Sequence, residues 1–63
     1  MEKEFVIWGV PPMATEETVL YTKATTMREA EKVVRTLVVE HGVTKPRIQV
    51  IDFTRDITED WRL

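Results

Sequence analysis

The chain has 63 residues, of which 43% are hydrophobic and 32% are charged. This length fits one small domain over residues 1–63 with a marginal core, because a domain of about 60 residues buries only about 60% of its unfolded surface. Cys, Ser and Asn are absent and His occurs once, as His41. These absences exclude disulfides, serine and cysteine nucleophiles and Cys-based zinc sites. We therefore expect no enzymatic activity, no cofactor and no metal site.

The charge balance is mildly acidic, with 9 basic and 11 acidic residues and a formal net charge of −2. A duplex DNA binder needs a dense basic footprint, so this balance argues against that class. No apolar run is long enough to span a bilayer, and the first residues lack the basic and apolar segments of a signal peptide. The chain has no Cys with which to form disulfides, the usual mark of an oxidising compartment. We therefore expect a cytoplasmic protein with no membrane partner.

Two strands are predicted in the first part of the chain. Residues 5–10 are a continuous apolar run rich in β-branched and aromatic side chains, and Pro11 and Pro12 follow it. The run predicts a strand, and its apolar character on both sides predicts a central one. Pro11 to Glu17 is predicted as a loop, because Pro cannot donate a hydrogen bond to a sheet ladder. Thr18–Ala24 is predicted as the second strand.

The helix has the clearest local signals. Thr26 and Glu29 have the spacing of a capping box, and Gly42 stands where a left-handed C-terminal cap is favoured. Apolar residues between them recur at the i, i+3, i+4, i+7 spacing of a helix face. These residues are Met27, Ala30, Val33, Val34, Leu37 and Val38. The pattern predicts a helix over Met27–His41.

A third strand and an ambiguous tail complete the chain. Residues 43–46 are predicted as a turn ended by a proline, and residues 47–53 as the third strand. Two structures remain open for the C-terminal tail, residues 54–63. One is a short helix with Ile57 and Trp61 on one face, and the other is a flexible segment anchored by one aromatic ring.

The β-β-α-β order predicts an α+β fold. We expect a three-stranded, mainly antiparallel sheet of order 2-1-3, with the helix packed on one face. Side chains alternate along each strand, so each strand divides into a helix-facing set and an opposite set. The helix-facing set is Phe5, Ile7, Gly9, Leu20, Ala24, Ile48 and Val50. The opposite set is Val6, Trp8, Val10, Val19, Tyr21, Lys23, Arg47, Gln49, Ile51 and Phe53.

The opposite set defines an open, aromatic sheet face. Small soluble proteins rarely leave a large apolar patch in water, so this face is the predicted interaction site. The candidate partner-binding residues are Trp8, Tyr21, Ile51 and Phe53, bordered by Lys23 and Arg47.

Three different structures could cover this face. The tail could fold back over it through Ile57, Trp61 and Leu63. A second copy of the chain could pack sheet on sheet. A foreign partner could bind there, either a protein or single-stranded nucleic acid stacked on the aromatic rings.

The predicted function is that of a small binding or accessory module that catalyses no reaction. It would act by homodimerisation or protein-partner binding through the aromatic face, a profile shared by inhibitors and by accessory proteins of mobile elements. The alternative is a weak single-stranded nucleic-acid binder that uses the same face, although no glycine–aromatic RNA-recognition signature is present.

Two charged features have ordinary explanations. His41 with Asp52 is a candidate general base or pH switch, but a His that meets the last helical carbonyls is the simpler interpretation. A basic stripe is predicted on the exposed side of the helix, formed by Arg28, Lys32 and Arg35. Glu29 and Glu31 are spaced to neutralise that stripe through local pairs.

Overall fold

The computed structural model describes residues 3–62, which form four strands and one helix. In chain order these are β1 Lys3–Val10, β2 Thr18–Ala24, α1 Met27–His41, β3 Thr44–Asp52 and β4 Ile57–Arg62. All neighbouring strands are antiparallel, and the sheet order is β2-β1-β3-β4. The α+β class and the 2-1-3 order of the first three strands are confirmed. The prediction of three strands is wrong, because the tail adds a fourth.

Helix α1 begins and ends where the sequence predicts. Thr26 has extended backbone, with φ −138° and ψ 160°, and its hydroxyl accepts a hydrogen bond from the Glu29 amide at 3.1 Å. Gly42 adopts the left-handed conformation at φ 68°, and its amide donates to the Leu37 carbonyl. The Val43 amide donates to the same carbonyl at 3.1 Å. Both ends of the helix therefore have partners for backbone groups that helix geometry leaves unsatisfied.

The core lies between α1 and the two interior strands, β1 and β3. Ile7 and Ile48 are fully buried there, opposite each other across the two strands. Ala30 and Val34 are the buried residues of the helix. The rest of the buried cluster is Phe5, Ala24 and Val50. Each large side chain removed from water contributes roughly 1.5–3 kcal/mol, so these contacts fix the helix on this face of the sheet.

Strand β3 begins three residues earlier than predicted. The expected turn over residues 43–46 is wrong, because pairing with β1 already starts at Thr44. The register between β1 and β3 shifts beside this segment, and Lys45 has φ 51°. Proline is tolerated in a sheet at such a bulge, so Pro46 does not stop the strand.

The prediction of a short helix or a flexible tail is wrong for the described part of residues 54–63. A tight turn folds β4 back onto β3 instead. The buried carboxylate of Asp52 holds this turn, because Oδ1 accepts from the amides of Thr54 and Arg55 at 3.0 and 3.1 Å. Asp56 has φ 52° and directs the chain into β4.

We expect Asp52→Ala to loosen this hairpin selectively. The substitution leaves two turn amides without their acceptor, at a cost of about 1–3 kcal/mol. Hydrogen exchange followed by NMR should show faster exchange of the β4 amides, while β1 amides keep their relative protection. Asp52→Asn is the matched control because its side-chain oxygen still accepts. Unchanged β4 exchange in Asp52→Ala would contradict this role.

Candidate functional site

Trp8 and Arg47 form the centre of the sheet face that points away from α1. They are cross-strand partners on β1 and β3, and the Arg47 guanidinium carbon lies 4.7 Å from the indole centroid. The indole Nε1 donates to the Gln49 side-chain oxygen at 3.2 Å. A guanidinium over an indole is an attractive cation–π contact. The ring face that the sequence predicts for a partner is therefore occupied by a side chain of the same chain.

Two carboxylates hold Arg47 in place. Its Nη2 and Nε donate to the two oxygens of Glu17 at 2.8 and 3.1 Å, and Nη1 donates to Asp60 at 2.7 Å. The Arg47 side chain is only 12% exposed. The hydrogen bonds with Glu17 lower the pKa of Glu17 and raise the pKa of Arg47. This network ties β3 to the loop before β2 and to β4.

The Glu17 carboxylate gives stability a defined pH dependence. Because the hydrogen bonds from Arg47 hold the pKa of Glu17 below 4.5, the folded protein binds fewer protons there than the unfolded chain. The stabilisation is therefore present above the unfolded-state pKa and is lost as pH falls through the folded-state pKa. Urea unfolding should show Glu17→Gln less stable than wild type at neutral pH, with the difference shrinking below pH 4.5.

Glu16→Gln is the control for this titration, since it removes an exposed carboxylate one residue away. It should not reproduce the pH-dependent difference. A destabilisation by Glu17→Gln that is equal at neutral and acid pH would contradict the assignment.

The open face is less exposed than the sequence predicts. Val6 is only 6% exposed, and Trp8 and Ile51 are half-buried. Ile51 lies on the same face as Gln49, two residues further along β3. The sheet face is thus partly covered by its own side chains, whereas the sequence predicts an aromatic face left open by the helix.

Tyr21 lies on the other side of the sheet. It pairs with Ile7 and packs against the core cluster under the helix. The pairing of β1 with β2 is irregular between Phe5 and Ile7 and again between Ile7 and Trp8. Bulges of this kind break the strict alternation of side chains, and this moves Tyr21 from the predicted face to the core side.

Phe53 and Lys23 lie away from the Trp8–Arg47 centre. Phe53 follows the end of β3 in the hairpin turn and is 60% exposed. Lys23 is exposed in the irregular part of β2. Of the six candidate residues, the structure brings Trp8 and Arg47 into contact and places Ile51 on their face.

The tail does not cover the open face with its apolar side chains. In the pairing of β4 with β3, Trp61 lies opposite Ile48 and Ile57 opposite Asp52, which places both on the helix side. Leu63 lies outside the described residues. Of the three alternatives, the covering of the open face by Ile57 and Trp61 is therefore wrong, and β4 extends the sheet sideways instead.

A groove runs beside α1 on this helix side. Within residues 3–62, no Cα atom of α1 lies within 8 Å of a Cα atom of β4, so the outer part of the sheet is uncovered. The groove has a volume of about 600 Å³, and its apolar lining residues are Val34, Val38, Val39, Val43 and Pro46. A second hollow of about 360 Å³ is lined by Met27, Glu31, Ile48 and Trp61. Both share Glu31, so together they follow the flank of the helix.

Several exposed apolar side chains lie on this helix side: Val38 and Val39 line the groove, Trp61 lines the second hollow, and Ile57 lies at the far end of β4. Val39 is 75% exposed, Trp61 50%, Val38 40% and Ile57 38%. We call these four residues, together with Val43 and Pro46 of the groove lining, the helix-side surface. Sequence reasoning missed it because Trp61 faces this side only if residues 57–62 form a strand. Glu59 between Ile57 and Trp61 interrupts the apolar alternation, so the sequence carries no clear strand signal there.

Positive charge predominates at the rim of the groove, although Glu31 also lines it. Arg35 and Lys45 line the groove, and Arg28 and Lys32 lie beside Arg35 on the helix. The local pairs expected for this stripe do not form: among the described residues, the salt bridges are those of Arg47 and Arg55. Glu29 instead accepts a hydrogen bond from the Thr25 hydroxyl.

The candidate acid–base pair is not assembled. His41 is exposed at the end of α1, close in sequence to the start of β3, whereas Asp52 ends that strand. At about 3.3 Å per residue, the strand separates its two ends by roughly 26 Å. Asp52 also has a structural role in the hairpin turn.

The part of the chain from residue 3 to residue 62 contains no group of three or more His, Cys, Asp or Glu residues arranged to hold a metal ion. Its helix is too short and too polar to cross a bilayer. No protein-family model, curated protein or solved structure matches this chain. A function must therefore be argued from the surfaces themselves.

Proposed function

We propose that this protein is a binding module that catalyses no reaction and acts by self-association through the helix-side surface. The observation that carries the proposal is the exposure of Val39, which lines the groove, and of Trp61, which lines the second hollow, at 75% and 50%. Clusters of exposed apolar side chains rimmed by charge are typical of protein–protein contacts. Tryptophan is also among the residues that most often dominate binding energy at such contacts.

The size of the protein supports self-association. A domain of 63 residues has little core, and a second copy is a common way to enlarge it. Burying apolar surface is worth roughly 25 cal/mol per Å², so covering the half-exposed Trp61 and the valines of α1 would add appreciably to a small total stability. The surface is also continuous with the core, since Ile48 and Val34 line its floor.

Binding through the sheet face has less support. Arg47 is already paired with Glu17 and Asp60, and these carboxylates would repel a phosphate brought to Trp8. The alternative of a single-stranded nucleic-acid binder stays a prediction. Anisotropy of a labelled oligonucleotide at low salt tests it, because absence of salt-sensitive binding would remove it.

The remaining parts of the proposal follow from composition and geometry. The chain offers no Ser or Cys nucleophile, and the length of β3 keeps Asp52 away from His41. A chain without Cys is suited to the reducing cytoplasm, where we place it. A small accessory or inhibitor protein fits this description.

Sedimentation equilibrium from about 5 μM to about 1 mM tests self-association, since this range covers typical moderate affinities. We expect the mass to rise with concentration from 7.4 kDa toward twice that value. A mass of 7.4 kDa at every concentration would overturn the proposal.

A further inference from the structure

We infer that the groove beside α1 is occupied by strand β4 of a second copy, in a two-fold symmetric dimer. This inference rests on the proposed self-association and names the surfaces that meet. In such a dimer the groove of each copy receives β4 of the other, so that both copies contribute the same two surfaces.

The apolar parts of the two surfaces match. The groove offers Val38, Val39 and Pro46. All six residues of β4 are exposed, and Ile57 and Trp61 project on the helix side, the side on which the groove lies. Contact between β4 and a partner's groove therefore removes an aromatic and several aliphatic side chains from water at once.

The net charges of the two surfaces have opposite sign. Arg35 and Lys45 border the groove with one carboxylate, Glu31, beside them, and Arg28 and Lys32 continue the positive stripe. Strand β4 carries Glu59 between its two apolar residues on the helix side, and Asp56 precedes it. Opposite potentials across an interface favour the correct partner and the correct register.

The available area suits a two-fold contact. A standard interface buries about 800 Å² per partner, and small ones bury about 600 Å². The molecule measures 37 × 20 × 17 Å and exposes 4741 Å² in total, so such a contact must use much of one larger face. The helix flank and β4 lie side by side on one face, and a two-fold axis between them brings both into the contact.

Direct pairing of two β4 edges is less favourable. When a two-fold axis relates two antiparallel strands within one sheet, the central residue lies opposite itself. The two middle residues of β4 are Glu59 and Asp60, so either centre would place identical carboxylates opposite each other. Like charges in that position destabilise strand pairing, and charged edge strands are a usual protection against it.

A charge-swap experiment tests the inference. Arg35→Glu and Glu59→Arg each place like charges at both contacts of the symmetric dimer, so each should weaken the homodimer by about tenfold or more. An equimolar mixture of the two variants restores opposite charges at both contacts of the heterodimer. Sedimentation equilibrium should show that this mixture associates within about threefold of wild type.

Two substitutions of exposed valines by glutamate separate a loss of association from a loss of folding. Val39→Glu places a charge in the groove at a side chain that is 75% exposed, so it should abolish association without unfolding the monomer. Val19→Glu is the matched control, because Val19 is 43% exposed and pairs with Trp8 on the sheet face that points away from α1. Circular dichroism should show both variants folded.

The two proposals fail in different ways. If wild type is monomeric at every concentration, self-association and the groove dimer are both overturned. If Val39→Glu abolishes the dimer but Arg35→Glu and Glu59→Arg leave its affinity unchanged, only the placement of β4 in the groove is overturned. If the dimer survives Val39→Glu and is lost in Trp8→Ala, the contact lies on the sheet face, and the use of the helix-side surface is overturned as well.

Discussion

Ile48→Ala is expected to remove most of the stability of this protein. Ile48 is fully buried in the interior strand β3, between Ile7 on β1 and Trp61 on β4. Truncating a buried isoleucine costs about 2–5 kcal/mol, because the transfer free energy is lost and a cavity remains. A domain of this length has a total free energy of unfolding of only roughly 3–9 kcal/mol.

Thermal denaturation followed by circular dichroism measures this effect. We expect the midpoint to fall by roughly 10 °C or more in Ile48→Ala. Ile48→Val removes a single methyl group and should cost only about 0.5–1.5 kcal/mol. An Ile48→Ala midpoint within a few degrees of wild type would show that the helix does not pack on β3 as described.

Gly9→Ala is expected to be the next most damaging change. A Cβ atom at this position would lie 2.5 Å from Val43 Cγ1 and 3.0 Å from Leu20 Cδ1. Val43 is 5% exposed and, as a β-branched residue, has little rotamer freedom to move aside. Overpacking of a tight site typically costs about 1–3 kcal/mol.

A double-mutant cycle isolates that steric contact. Val43→Ala alone should destabilise the protein by removing buried methyl groups. Combined with Gly9→Ala, it should cost less than the sum of the two single changes, because the smaller side chain makes room for the new methyl group. Additive losses in urea denaturation would mean that the two residues do not compete for the same space.

The sequence predicts those elements whose signals are local. The bounds of α1 follow from the Thr26 cap, the left-handed Gly42 and the apolar spacing between them. The central place of β1 follows from its apolar character on both sides, and burial of both Phe5 and Val6 agrees with it. Each of these signals comes from residues within the element itself, so one sequence suffices to find them.

The errors arise where distant contacts decide between local alternatives. Residues 56–61 fit a capped helical turn better than a strand, because Glu59 interrupts the apolar alternation. The turn held by Asp52 and the pairing with the edge of β3 nevertheless make this segment a strand. Tyr21 is displaced by bulges that leave no mark on hydrophobic periodicity. Glu17 pairs with Arg47 from 30 residues away, and no local pattern signals that contact.

Because of these errors, the binding surface predicted from the sequence, the sheet face, differs from the helix-side surface proposed from the structure. With Arg47 unpaired and Tyr21 beside Trp8, the sheet face would be an open aromatic platform. In the structure, two carboxylates bind Arg47 and Arg47 stacks on Trp8. The charge and one ring face at the centre of that surface therefore already have partners within the chain. The exposed apolar side chains gather instead beside α1, where Trp61 and Val39 are found.

The most direct test of binding through the helix-side surface is an isotope-filtered NOE experiment on an equimolar mixture of labelled and unlabelled protein. Only protons on different copies give signals in such a spectrum. We predict intermolecular NOEs between the ring protons of Trp61 and the methyl groups of Val38 and Val39. Intermolecular NOEs confined to Trp8 and Ile51, or a sample that remains monomeric at the highest soluble concentration, would contradict it.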